Sequence, residues 1–168
     1  MTDIAHMLRL AMQSERDGYN HYANAALRTE DPKAKEVFQG LANDELLHHK
    51  ALDEILKEYT QQGSLPNIPP LEGKASVDVD NFSPIFSPEF KQRIQDKHFE
   101  ISALSIAMTL EQGEISFYTD LAGKTVNSTF RAFFTKLADW DKTHLEALSR
   151  QMGYLRESYW AEFRFEPF

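Results

Sequence analysis

Apolar residues recur along this chain at alternating steps of three and four over four long stretches, the period of an amphipathic helix. The first stretch covers about residues 2–28, with Ile4, Leu8, Ala11, Glu15, Gly18, Tyr22 and Ala25 on one side. Thr29-Glu30-Asp31-Pro32 breaks it. Proline is poor inside a helix yet suits the first turn of the next one, and Asp31 is a natural cap. The second stripe runs Ala34, Phe38, Leu41, Glu45, His48, Leu52, Ile55, Tyr59 and continues to about Gln62, where Gly63 and Pro66, Pro69 and Pro70 end it. Residues 2–62 are therefore expected to form an antiparallel helical hairpin.

Residues 63–95 change character. Prolines interrupt any stripe, and Pro88-Glu89-Phe90 opens a short helix or leads into the next long one. The apolar residues Leu65, Ile68, Leu71, Val77, Val79, Phe82, Ile85 and Phe86 argue for a segment packed along a surface and against a free linker. A helix of about 30 residues is ~45 Å long, and about 25 extended residues reach ~80 Å, so this crossover can run the length of a bundle. The third long helix then lies parallel to the second. A second hairpin is expected over residues 96–154, its last helix reaching Tyr154 or beyond, with Leu104, Ala107, Glu111, Glu114, Tyr118 and Leu121 on one stripe and Phe130, Phe134, Leu137, Asp141, His144 and Leu148 on the other. Residues 155–168 form a tail with Tyr159, Trp160, Phe163, Phe165 and Phe168, more apolar surface than a loose terminus keeps. It is a candidate contact for the bundle or for a second subunit.

Acids and histidines thus interrupt otherwise apolar stripes, and the interruptions repeat. A shift of 96 residues aligns Leu8 with Leu104, Glu15 with Glu111, Tyr22 with Tyr118, Phe38 with Phe134, His48 with His144 and Leu52 with Leu148, without a gap. Glu15 to Glu45 and Glu111 to Asp141 are both 30 residues apart. Two similar hairpins each present an acid from one helix and acid-x-x-His from the other, and face-to-face packing gives an all-α four-helix bundle with a pseudo-two-fold centre.

Charge decides what that centre needs. Glu15, Glu45, Glu111, Glu114 and Asp141 bring up to five negative charges inward, with no lysine or arginine on their stripes. Unpaired buried carboxylates would take up protons or destabilise the fold. Two cations would offset them. Oxygen-rich ligation with one imidazole per ion suits iron or manganese better than structural zinc, although zinc stays open as a filling ion. A metal pair that changes oxidation state together suits two-electron chemistry on peroxide or dioxygen. His49, adjacent to His48, is expected to be exposed or to back a ligand, and His6, His21 and His98 to lie at the surface.

Composition narrows the remaining classes. At 168 residues with 42% hydrophobic content the chain suits one domain with a real core. Its net charge of -8, with scattered basic residues, argues against nucleic acid. The absence of cysteine rules out thiolate zinc sites, iron–sulfur clusters and a thiol nucleophile in this sequence. No stretch approaches the ~20 apolar residues of a membrane span, and the first residues lack the pattern of a signal peptide. A cytoplasmic protein is the expectation.

At these residues the chain resembles the ferritin-like superfamily and, within it, the rubrerythrin family. The resemblance covers both hairpins, and the run SERDGYNHY looks like the first helix of rubrerythrin-like proteins. It implies that Glu15 and Glu111 are terminal ligands of a di-iron centre, Glu45 and Asp141 bridging carboxylates, and His48 and His144 nitrogen ligands. Glu114 matches the additional glutamate of rubrerythrins, which in that family exchanges an iron with the histidine opposite, here His48. Glu114, Tyr22 and Tyr118 are the candidate catalytic residues, the tyrosines chiefly as packing groups that hydrogen-bond a ligand. The implied activity is that of a non-haem di-iron oxidoreductase reducing hydrogen peroxide or dioxygen. The alternatives are ferroxidase-like iron handling and a structural metal-filled bundle. Two departures stand out. Position 141 is aspartate where the family usually has glutamate, and the four cysteines of a rubredoxin-like module are not in this sequence, so electrons would come from a separate donor protein. A homodimer is the expected assembly.

Overall fold

A computed structural model describes residues 4–64, 74–77, 84–91 and 98–163; the side chains of 90, 91, 98 and 158–163 also lie outside the description. Among the described residues all regular structure is helical: α1 (Ile4–Arg28), α2 (Pro32–Gln62), the single turn α3 (Pro88–Lys91), α4 (His98–Lys124) and α5 (Ser128–Phe163). The four long helices make an all-α, ferritin-like four-helix bundle. α1 packs chiefly on α2 and α4 on α5, and the two hairpins meet through α1 and α4.

Local chemistry sets the hairpin corners. Asp31 has extended backbone and its Oδ1 accepts from Ala34 N at 2.9 Å, with Pro32 opening the first turn. Asn127 does the same for α5, its Oδ1 accepting from Phe130 N at 3.0 Å. Each turn is three residues long, within the range that joins antiparallel helices, and α1 packs on α2 and α4 on α5 along their lengths. α2 ends at Gly63, whose φ of 66° is the left-handed conformation that glycine adopts without penalty, and whose N–H bonds Tyr59 O.

The described parts of the crossover run back along α2. Ser76 N donates to Asp44 Oδ2 at 2.6 Å, Ile85 N to Gln151 Oε1 at 2.5 Å, and Ser87 N to Asp31 Oδ2 at 3.1 Å. Phe86 is fully buried against Phe38. The chain therefore arrives at the end where α2 begins. There Arg28 lies 4.3 Å over the Phe99 ring, so α4 starts beside the end of α1 and runs parallel to α2. Leu65, Ile68, Leu71, Val79 and Phe82 lie outside the described residues. α5 continues through Tyr154 to Phe163 as helix, so the first nine residues read from the sequence as a tail extend this element instead. The aromatic side chains of Tyr159, Trp160, Phe163, Phe165 and Phe168 lie outside the described residues.

The core is divided. One apolar cluster contains Tyr22, Phe38, Leu41, Phe86, Leu104 and Leu148; a second contains Leu8, Leu52, Ile55, Tyr118, Phe134 and Leu137. Between them lies a polar layer. At about 25 cal/mol per Å2 of apolar area removed from water, the two clusters supply the burial that holds that unfavourable layer closed.

Candidate metal centre

Glu15 from α1, Glu45 and His48 from α2, Glu111 and Glu114 from α4, and Asp141 and His144 from α5 form the layer, none more than 2% exposed. Their placement follows from register. α1 and α2 pair so that Glu15 meets His48 and Gly18 meets Glu45, and α4 and α5 repeat the pairing with Glu111 and His144. His48 Nδ1 donates to Glu15 Oε2 at 3.2 Å and lies 3.9 Å from Asp141 Oδ1. In the other half His144 Nδ1 donates to Glu111 Oε1 at 3.2 Å and lies 3.4 Å from Glu45 Oε1. Each imidazole thus faces the terminal acid of its own hairpin and the α2 or α5 acid of the opposite one.

The tyrosines cross between halves. Tyr22 OH donates to Glu111 Oε1 at 2.5 Å, and Tyr118 OH donates to Glu15 Oε1. Their rings stack on Phe38 and Phe134. Burial first, then the charge of the carboxylate each one touches, pushes both phenols well above their ordinary range, so they stay protonated donors. Glu114 accepts from Ser14 Oγ at 2.9 Å.

Electrostatically the layer is under-compensated. Burial, then the charges of Glu15 and Glu114, push Glu45 well above the usual carboxylate range. Burial does the same to Glu114 and Asp141, each aided by Glu15 and Glu111. Burial would also raise Glu15, but the His48 imidazole and the hydrogen bonds it receives outweigh this and hold it low. His144 is held well above its ordinary value: burial would lower it, but the Glu111 charge and the hydrogen bonds to Asp44 and Glu111 prevail.

These residues fit a pair of cations. Among the described residues both oxygens of Glu45, both of Asp141 and Oε2 of Glu111 are buried with no hydrogen-bond partner, a costly state for acceptors unless a cation takes their lone pairs. Three groups have ligand atoms within 4.8 Å of one another: Glu15, Glu45 and His48; Glu45, Glu111 and His144; Glu111, Glu114 and Asp141. Glu45 belongs to the first two groups and Glu111 to the last two, so the three overlap in one continuous cluster. The geometry defines a ferritin-like bundle with an internal carboxylate–histidine centre able to hold metal.

Residues 2–68 match the rubrerythrin family model, so the chain is rubrerythrin-like over its first hairpin and the start of its crossover. The 96-residue repeat carries the same acid and acid-x-x-His pattern into the second hairpin. No curated protein and no solved structure matches the chain.

Three participants were not singled out from the sequence. Asp44 accepts from His144 Nε2 at 3.0 Å, from Ser76 N and from Trp140 Nε1. It sits four residues before His48 and three after Leu41, so helical spacing did mark it as inward. Trp140 packs edge-on to His48, with ring centroids 4.9 Å apart. Ser14 is the third. Of the remaining histidines, His6 is exposed, whereas half-buried His21 bonds Ala103 O at 2.9 Å across the hairpins instead of facing solvent. His49 is half-buried and lines a cavity of about 290 Å3 that reaches Glu15 between Arg16, Tyr19, Asn20 and Leu46. His98 lies outside the described side chains.

Proposed function

We propose that this chain is a non-haem di-iron oxidoreductase of rubrerythrin type whose principal substrate is hydrogen peroxide, with dioxygen the lesser one. The observation that carries the proposal is the convergence of five carboxylates and two imidazoles on one buried layer in which the oxygens of Glu45 and Asp141 and one of Glu111 lack a hydrogen-bond partner among the described residues. Glu15 and Glu111 would serve as terminal ligands, Glu45 and Asp141 as bridges, and His48 and His144 as ligands through Nδ1. Mostly oxygen donors with one imidazole per ion suit iron, with manganese next and zinc as a redox-silent filling.

Bound iron would supply two electrons, and peroxide takes up those two electrons with two protons to give two waters. The chain's own groups supply position and protons. Tyr22 and Tyr118 hold Glu111 and Glu15 in place by donating to them. Glu114 is pushed towards its protonated form and is the carboxyl best placed to hold a proton beside the pair, with Ser14 fixing its orientation. The cavity between α1 and α2 is the natural approach for a small oxidant. Electrons to restore the reduced state would come from a separate donor protein. A cytoplasmic homodimer without nucleic-acid or membrane partners completes the proposal; the net charge of -8 argues against a nucleic-acid partner, and among the described helices none is long and apolar enough to cross a membrane.

The test is stopped-flow mixing of the anaerobic, iron-loaded chain with peroxide and, separately, with oxygen. Oxidation by peroxide much faster than by air supports the proposal, and equal or absent rates refute it. Ferroxidase-like iron handling is the second reading, favoured by the all-oxygen group Glu111, Glu114 and Asp141, which would hold an ion loosely. Release of iron after oxidation, or mineral growth, would select it. Iron that supports no redox reaction would select a structural bundle.

A further inference from the structure

The two halves of the centre differ behind their histidines. The 96-residue shift that superposes Glu15 on Glu111 and His48 on His144 places Trp140 where the first hairpin has Asp44. His144 Nε2 donates to Asp44 Oδ2 at 3.0 Å. His48 Nε2, by contrast, is buried without a hydrogen-bond partner among the described residues, and its neighbour is the Trp140 ring, whose own N–H is donated to Asp44 at 3.4 Å. Indole is a donor only, so the tryptophan offers His48 no conventional acceptor.

A neutral imidazole has one N–H, and a metal ion on Nδ1 requires that proton to sit on Nε2. At His144 the Nε2 proton has a carboxylate waiting for it, which fixes the tautomer and makes the ring a better ligand. At His48 the comfortable arrangement is the opposite one, with the proton on Nδ1 and donated to Glu15. Binding an ion there moves the proton to a nitrogen with nothing to receive it.

We propose that the two metal positions are unequal by construction, the Asp44-backed His144 position binding its ion tightly and the Trp140-backed His48 position binding its ion more weakly. Asp44 is a positioning residue in this scheme, and Trp140 is what withholds its counterpart from the other half. Loss of such a backing partner typically costs ten- to a hundredfold in metal affinity, which sets the expected gap at about that size. The inference rests on the metal-centre reading above, though not on peroxide turnover.

The experiment is anaerobic titration of the metal-free chain with Co2+, followed by calorimetry and visible absorption. Two steps are expected, separated by about tenfold or more. His144→Ala should remove the tighter step and His48→Ala the weaker one. Asp44→Ala should bring the tighter step towards the weaker, and Asp44→Asn, which keeps an acceptor oxygen, should restore part of the gap; circular dichroism checks that each variant is folded. Two ions bound with equal affinity, or a gap untouched by Asp44→Ala, would overturn the inference while leaving the metal centre standing. No Co2+ uptake by the unmodified chain would overturn both. Unequal uptake without peroxide turnover would sink only the oxidoreductase proposal.

Discussion

Gly18 and Glu114 occupy corresponding places in the two hairpins, and so do Glu45 and Asp141. A Cβ added at Gly18 would come within 3.2 Å of the Glu45 carboxylate, so the glycine makes room for the longer acid beside it. In the other half Glu114 fills the glycine's place, and the neighbouring acid is the shorter aspartate. Gly18→Ala should raise intrinsic helix stability by about 0.5–1 kcal/mol, yet displace Glu45 and weaken metal uptake. Opposite movements of the melting temperature of the metal-free chain and of the binding constant would show this; unchanged binding would refute it. Tyr22→Phe removes the donor to Glu111, a hydrogen bond to a charged group of about 1.5–3 kcal/mol, and calorimetry should find iron binding weakened about tenfold.

At this scale the seven residues that the fold brings into one buried layer were legible because each broke an apolar stripe and most recurred at the same offset. The roles of Asp44, Trp140 and Ser14 were not: helical spacing marks Asp44 as inward, but Asp44 and Trp140 differ between the halves, so the repeat that exposed the ligands did not reveal the groups behind them. The His21 contact was not legible because a helix-face assignment cannot see that α4 arrives beside α1 and offers the Ala103 carbonyl.

Among the elements, the corners carry the fold. Asp31 caps α2 and also holds Ser87 of the crossover through N–H and O–H, whereas Asn127 caps α5 with no such second contact among the described residues. Replacing either cap by alanine should cost about 1 kcal/mol. Asp31→Ala should cost more than Asn127→Ala, as measured by urea unfolding, because it also frees the crossover; equal losses would argue that the Ser87 contact contributes nothing. Helix boundaries were readable to within a residue or two wherever proline, glycine or a capping acid marked them, as at Asp31-Pro32 and Gly63. The end of α5 was not, since after Tyr154 the sequence carries no proline or glycine until Pro167, and the aromatic spacing alone did not separate helix from tail. The return path of the crossover was inferred from reach, and its anchor points on Asp44, Gln151 and Asp31 became visible only with the fold.

For the whole molecule, the central layer makes stability depend on pH and on metal. Glu45, Glu114 and Asp141 have folded-state values well above their ordinary 4.5, 4.5 and 3.8. Between those ordinary values and the raised ones the folded state holds protons that the unfolded state has released, so stability falls as pH rises. His144, raised above 6.5, acts in the same direction. The metal-free chain should therefore melt at progressively lower temperature from about pH 5 to pH 8, and bound metal should flatten or reverse that slope. A metal-free chain whose melting temperature climbs over this interval would show that the acids are compensated in some other way.

The most direct measurement is the number of Fe2+ ions bound per chain at saturation under anaerobic conditions. Two per chain, with a drop when the shared acid is removed in Glu45→Ala, is the expected result. A chain that saturates with no iron, or that binds two ions just as well without Glu45, would contradict a centre built from these residues.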